Sequence, residues 1–240
     1  MGKIIALCGS PASGKTTAGL KIAQEVYFTK RASVIFVSPD WNKPTLTYFF
    51  PLKKESDLFS LGRVLDKTSI TPEDLLKGMV YSSNMNNFGF LGYKSGENRF
   101  SYPKPTTDKV LSLLSAASEL ADYVFVDCSS YFDDPISEIA ISNANNYINF
   151  IVPDILSMVY YSSYEKRYST IEHNTIKIIN RTFDDVFLPE SEVKEHFKPV
   201  TISLPYSMML KQQSLSGTLA ERINDTKFKK ECSKLAGLLP

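Results

Sequence analysis

Apolar residues in this chain fall in short consecutive runs, and segments of helical periodicity separate the runs. Seven runs stand out: KIIALC (3–8), SVIFVS (33–38), FGFLGY (88–93), DYVFVD (122–127), YINFIV (147–152), TIKIIN (175–180) and PVTISL (199–204). Most are apolar on successive positions, the pattern of strands covered on both faces of a parallel sheet. Between them, Ala18, Ile22, Ala23 and Val26 repeat at helical spacing. TPEDLLKGMV opens with Thr71 as an N-cap, Pro72 at the first helical position and acids in the first turn. In 106–121, Val110, Leu113, Leu114, Ala117 and Leu120 share one face. Strands alternating with helices predict an α/β fold: a single doubly wound, mostly parallel sheet of about seven strands flanked by helices. The stretch 93–105 reads as a long loop but not as a boundary, so one domain over 1–240 is expected.

Composition narrows the class. The 240 residues include 43 % apolar residues, 13 Tyr and 15 Phe, ample material for a core. A net charge of +1 gives no overall basic field for nucleic acid. Cys8, Cys128 and Cys232 are far apart, without a C-x-x-C pair, which argues against a disulfide framework or zinc site and fits a reducing cytosol. No run reaches ~18 apolar residues and the N-terminus lacks a signal peptide, so a cytoplasmic protein is expected. His173 and His196 stand in polar contexts that suit surface or cap roles.

The chemistry lies in GSPASGKTT (9–17). Gly9, Gly14, Lys15 and Thr16 match G-x-x-x-x-G-K-[ST], between an apolar strand and an amphipathic helix. This spacing wraps the backbone N–H groups of Gly9, Ser10, Pro11, Ala12, Ser13, Gly14, Lys15, Thr16 and Thr17 around a phosphate, with Pro11 contributing none. Lys15 reaches the terminal phosphates and the Thr16 hydroxyl is a Mg²⁺ ligand. Such a loop calls for an acid at the end of another strand. Asp127 closes DYVFVD and is the candidate for the Mg²⁺ shell, through water. Asp40, after VIFVSP, reads either as a second active acid or as an Asx-turn residue.

In this order the motifs resemble the ParA/MinD family of P-loop ATPases, along most of the chain. FVSPD keeps the second acid of that family's D-x-D as Asp40, with Ser38 at the first. DYVFVDCSS resembles its D-[TS]-x-P strand through Asp127, with Cys128 and Ser130 at variant positions. IKIINR resembles the adenine-reading strand and places Asn180 at the base; SLPYS resembles the last turn, with Pro205 and Tyr206 beside the adenine. INFIVPDILSM resembles the fifth strand and its turn. The resemblance implies ATP and Mg²⁺ as ligands, catalytic roles for Lys15, Asp40 and Asp127, and an ATP-dependent homodimer that positions DNA, a pilus or another cargo.

The chain departs from that pattern at Ser10. Family members carry a second lysine there that reaches the partner's nucleotide across the dimer, as a charge against the transition state. TadZ/CpaE-like relatives also depart from the standard loop. Ser10 therefore implies slow hydrolysis, since a lost trans cation costs ~10³–10⁵ by analogy with arginine fingers. Two alternatives stay open. A small-molecule P-loop kinase would need an Arg-rich lid, for which SYEKRYST (163–170) is the nearest segment, with one Arg and one Lys. A catalytically silent ATP-binding module is the other. In the tail, Phe228, Cys232 and Leu235 form a narrow apolar stripe among lysines. Docking on the core is preferred there over peripheral membrane or DNA contact.

Overall fold

The computed structural model describes residues 1–82, 84–131, 134–182 and 188–240. Among these, eight strands form one sheet: β1 (Lys3–Gly9), β2 (Val34–Ser38), β3 (Val80–Ser82), β4 (Met85–Gly92), β5 (Tyr123–Asp127), β6 (Asn146–Ile151), β7 (Thr175–Thr182) and β8 (Ile202–Pro205). Their order is β3-β4-β2-β5-β1-β6-β7-β8, parallel throughout except for the antiparallel β3–β4 pair. All seven expected runs are strands. The eighth, β3, takes Val80 from the end of the segment read as a helix. That helix closes at Gly78, and the chain turns back so that Val80 pairs with Phe90.

The helices are α1 (Lys15–Lys30), α2 (Leu46–Phe49), α3 (Leu61–Leu65), α4 (Pro72–Gly78), α5 (Thr107–Leu120), α6 (Pro135–Asn143), α7 (Ile155–Ser163), α8 (Glu165–Thr170), α9 (Glu190–His196), α10 (Met208–Ser216) and α11 (Thr226–Leu238). Capping fits the sequence: the Thr71 and Asp74 side chains form a reciprocal capping box on α4, and Thr106 caps α5. The segment 93–105 holds only turns, as expected. Alternate strand residues enter two cores. Ile5, Leu7, Phe36, Phe90 and Phe125 pack under α1 and α11, while Ala6, Val37, Val124 and Val126 pack under α3 to α6. Each buried Phe or Leu contributes about 1.5–3 kcal/mol, enough for the sheet to hold its polar upper rim rigid.

The doubly wound order has a consequence for function. Chain connections leave β1 in opposite directions on its two sides, and a crevice opens above the carboxyl ends of the central strands. The loop 9–17 and Asp127 both lie there, because Leu7 of β1 is in register with Asp127 of β5.

The tail docks. Phe228, Cys232, Leu235 and Ala236 of α11 are buried in the core that α1 shares, so the apolar stripe is occupied. A polar clamp reinforces the contact. Buried Glu25 of α1 accepts hydrogen bonds from Arg222 Nε and Nη2, both at 3.0 Å, and from Ser233 Oγ at 2.9 Å. Lys21 Nζ donates to the carbonyls of Leu219 (2.7 Å) and Glu221 (2.5 Å), and burial lowers its pKa to about 7. Arg222→Ala leaves a buried carboxylate with one neutral partner. We expect a loss of about 2 kcal/mol, in the range of hydrogen bonds to charged groups, read as a lower urea midpoint. An unchanged midpoint would show that the clamp does not hold the tail.

Candidate functional site

The loop between β1 and α1 is shaped by two left-handed residues, Ala12 (φ 60°) and Gly14 (φ 76°), with Pro11 and Ala12 exposed at its tip. Ser13 is buried and its amide donates to the Ser10 carbonyl at 3.2 Å. Gly14 is required here for two reasons. Its φ lies where side chains are strained, and an added Cβ would stand 2.7 Å from Asn180 Nδ2. The Gly14 carbonyl starts α1 by accepting from Ala18 N (2.9 Å) and from Thr17 Oγ1 (3.0 Å). The amides of the first helical turn are thereby left to face the crevice, the arrangement that binds phosphate.

Four predicted residues converge in one cavity of about 1340 Å³, lined by Lys15, Thr16, Asp40 and Asp127 among others. Thr16 Oγ1 donates to Asp127 Oδ2 at 2.6 Å. Lys15 Nζ donates to Ser130 Oγ at 3.0 Å, and Ser130 Oγ in turn donates to the Gly9 carbonyl at 2.7 Å. Ser130 thus anchors the lysine to the loop. Asp127 is 3 % exposed. Burial raises its pKa most, and Lys15 and the Thr16 hydroxyl act in the opposite direction. Its Oδ1 is enclosed and has no hydrogen-bond partner among the described residues. A buried carboxylate oxygen left free beside a threonine hydroxyl fits a Mg²⁺ shell, for which Thr16 and Asp127 supply hard oxygen donors.

Ser38 adds a second, weaker donor to Asp127. Its Oγ donates to Asp127 Oδ2 at 3.4 Å and accepts from Thr45 Oγ1 at 2.6 Å. A carboxylate at position 38 would face Asp127 with like charge in a buried place. Asp40 both lines the cavity and makes the Asx turn, its Oδ1 accepting from Asn42 N at 3.0 Å.

A second cavity of about 310 Å³ is lined by Asn180, Pro205 and Tyr206, with Leu210 and Phe228 behind. The three residues expected beside a base are therefore together. Asn180 Nδ2 is committed to the Ser13 carbonyl at 2.7 Å, so this residue also braces the phosphate loop. The two cavities share Thr17, Arg181 and Ser214.

Ser10 does not face outward as a residue reaching for a partner would. It is 3 % exposed, and its Oγ pairs with Ser157 Oγ on α7 at 3.1 Å. Ser157 itself accepts from Val152 N at 3.2 Å. A lysine at position 10 would have to leave this enclosed pair. Sequence reasoning missed the roles of Ser130, Thr45 and Arg181. Ser130 stood there only as a variant position, Arg181 only as the residue after Asn180, and Thr45 carried no signal; side-chain direction decides each role. Both histidines are exposed and neither lines the two cavities.

No protein-family model matches the sequence, and no curated protein matches it by sequence. Solved structures do match the fold. The septum site-determining protein MinD of Pyrococcus horikoshii, complexed with Mg-ADP, aligns with a TM-score of 0.77 at 14 % identity over 98 % of this chain and 95 % of that one. A ParA family ATPase from Chlorobium tepidum gives 0.78 at 15 % identity over 100 % and 99 %. The ATP complex of a singly substituted McdA from Cyanothece gives 0.72 at 17 % identity over 100 % and 97 %. The chain has the fold of the ParA/MinD ATPases.

The raised pKa of Asp127 has a measurable effect on the nucleotide-free protein. Its folded state retains a proton that the unfolded chain releases above the ordinary carboxylate pKa of 3.8. Stability therefore falls as pH rises from there through the folded pKa. Asp127→Asn removes that slope. The melting temperature of the variant should exceed that of the parent, by more at pH 8 than at pH 5, in scans without nucleotide. An equal difference at both pH values would mean that Asp127 does not titrate between them.

Proposed function

We propose that this protein is a ParA/MinD-like ATPase that binds Mg·ATP in the upper crevice. Nucleotide state would switch its pairing with a second copy, in the service of positioning or partitioning DNA, a pilus or another assembly. The observation that carries this reading is the convergence of Lys15, Thr16 and Asp127 at one cavity, with Asp127 Oδ1 buried and unpartnered among the described residues. The Mg-ADP and ATP complexes of proteins with the same fold support the choice of ligand.

The roles follow from the side chains. Amides from Gly14 to Thr17 and the Lys15 ammonium would hold the phosphates, and Asn180, Pro205 and Tyr206 would receive the base. Thr16 and Asp127 would hold Mg²⁺, which supplies charge against the transferring phosphoryl group. Asp40, at the cavity edge, would orient the attacking water. With Ser10 turned inward, no lysine at that position would aid a partner's site, and hydrolysis is read as slow. The exposed apolar residues Ile155, Leu156 and Val159 of α7 adjoin the phosphate loop through the Ser10–Ser157 contact and suit a pairing surface.

One observation weighs against the kinase alternative. The segment 163–170 is held in place: Arg167 Nη2 pairs with Glu138 Oε1 at 2.7 Å, and the Tyr168 ring packs on Tyr161 with centroids 4.9 Å apart. An arginine lid needs freedom to close. The buried Ser10 favours the second alternative, a catalytically silent ATP-binding module, and a turnover assay separates it from a slow ATPase.

Lys15→Ala removes the loop's cation and should weaken Mg·ATP binding by about 10- to 100-fold, measured by calorimetry. Undiminished affinity would end the assignment of this loop. Asp40→Ala should bind ATP as the parent does while turnover per subunit falls by about 10²-fold or more. Equal turnover would leave Asp40 a turn residue only, and no turnover in the parent would favour the silent module.

A further inference from the structure

Arg181 is held in an unusual way. It is a non-glycine residue with φ 63°, in the left-handed region that long side chains avoid. It is also the extra residue of a bulge. Asn180 is in register with Leu204 and Thr182 with Pro205, so three residues of β7 span two of β8. Bulges of this kind re-aim a side chain at the end of a strand, often beside a site. The side chain is aimed at the phosphate loop. A Cβ built on Gly14 would stand 3.1 Å from Arg181 Nε and 3.2 Å from Nη2. No carboxylate among the described residues pairs with this guanidinium.

Its location defines what it would meet. Arg181 lines both the base cavity and the phosphate cavity, at their junction. A nucleotide with its base beside Pro205 and Tyr206 and its terminal phosphates near Lys15 must pass its inner phosphates across that junction. A planar fork of N–H donors suits phosphate oxygens there better than a base edge or a ribose. We propose that Arg181 is a phosphate-binding residue of the nucleotide site, supplying charge from within the same subunit where Ser10 supplies none. This rests on the proposed nucleotide reading and adds to it a residue, a phosphate position and independence from a partner.

Strained backbone gives the test its control. Asn tolerates the left-handed region and carries no charge, so Arg181→Asn should melt at or above the parent temperature. Calorimetry with Mg·ATP, at a protein concentration low enough to keep the chain monomeric by light scattering, should show affinity reduced about 10- to 100-fold. The dependence of the remaining binding on salt should be shallower. Lys211→Gln removes an equal charge from the rim of the base cavity and should cost markedly less. Unchanged affinity in Arg181→Asn would overturn the inference and leave the nucleotide reading intact, provided Lys15→Ala still weakens binding. Equal losses in Arg181→Asn and Lys211→Gln would also overturn it, as a general field effect. If the parent protein binds no Mg·ATP, both readings fall.

Discussion

The enclosed carboxylate of Asp127 sets the terms for the upper rim of the sheet. It ends a strand whose other residues are apolar and buried, in register with the strand that launches the phosphate loop. A charge in such a place is destabilising unless it meets donors or a cation. Thr16 donates to one oxygen, Ser38 donates weakly to the same oxygen, and Lys15 lies near enough to oppose the effect of burial. The other oxygen has no partner among the described residues. Compensation is therefore incomplete, and this imbalance is what gives a cation bound there something to gain. The cost is carried by the two cores below, where β1, β2 and β5 are packed on both faces.

Much of this was legible in the sequence because the signals are local. Seven consecutive apolar runs became seven strands, and the glycine–lysine spacing needs only a strand before it and a helix after it. The tail could be read in the same way: the narrow stripe of Phe228, Cys232 and Leu235 docks on the core that α1 shares. What escaped depends on tertiary direction. Strand β3 is three residues long and exists because Val80 meets Phe90, a contact that no periodicity announces. Ser130 anchors Lys15 through a hydroxyl that the sequence shows only as a variant residue after Asp127.

Ser10 and Arg181 illustrate the same limit from opposite sides. The spacing marked position 10 as the place of a missing charge, which is a statement about residue type. The fold adds that the side chain points inward to Ser157, so the position is built as a packed contact and not as an empty socket. At Arg181 the residue type was unremarkable, one of six arginines. Its significance arises from a bulge and a left-handed backbone, which together turn the side chain toward Gly14. The strain at that residue and the orphaned oxygen of Asp127 are of one kind: small local costs that a rigid sheet can hold in place.

These two positions bear on how pairing and nucleotide would be linked. A cation supplied across an interface makes charge neutralisation conditional on a partner, so nucleotide and dimer stabilise one another directly. A cation supplied by the same subunit neutralises phosphate whether or not a partner is present. On the proposed reading, the energetic link between nucleotide and pairing would then have to run through shape: the exposed apolar face of α7, fastened to the phosphate loop by the Ser10–Ser157 contact. A nucleotide that moves the loop would move that face. Reciprocity of linkage requires that pairing through the face alter nucleotide affinity by the same factor, even with no residue of one copy touching the nucleotide of the other.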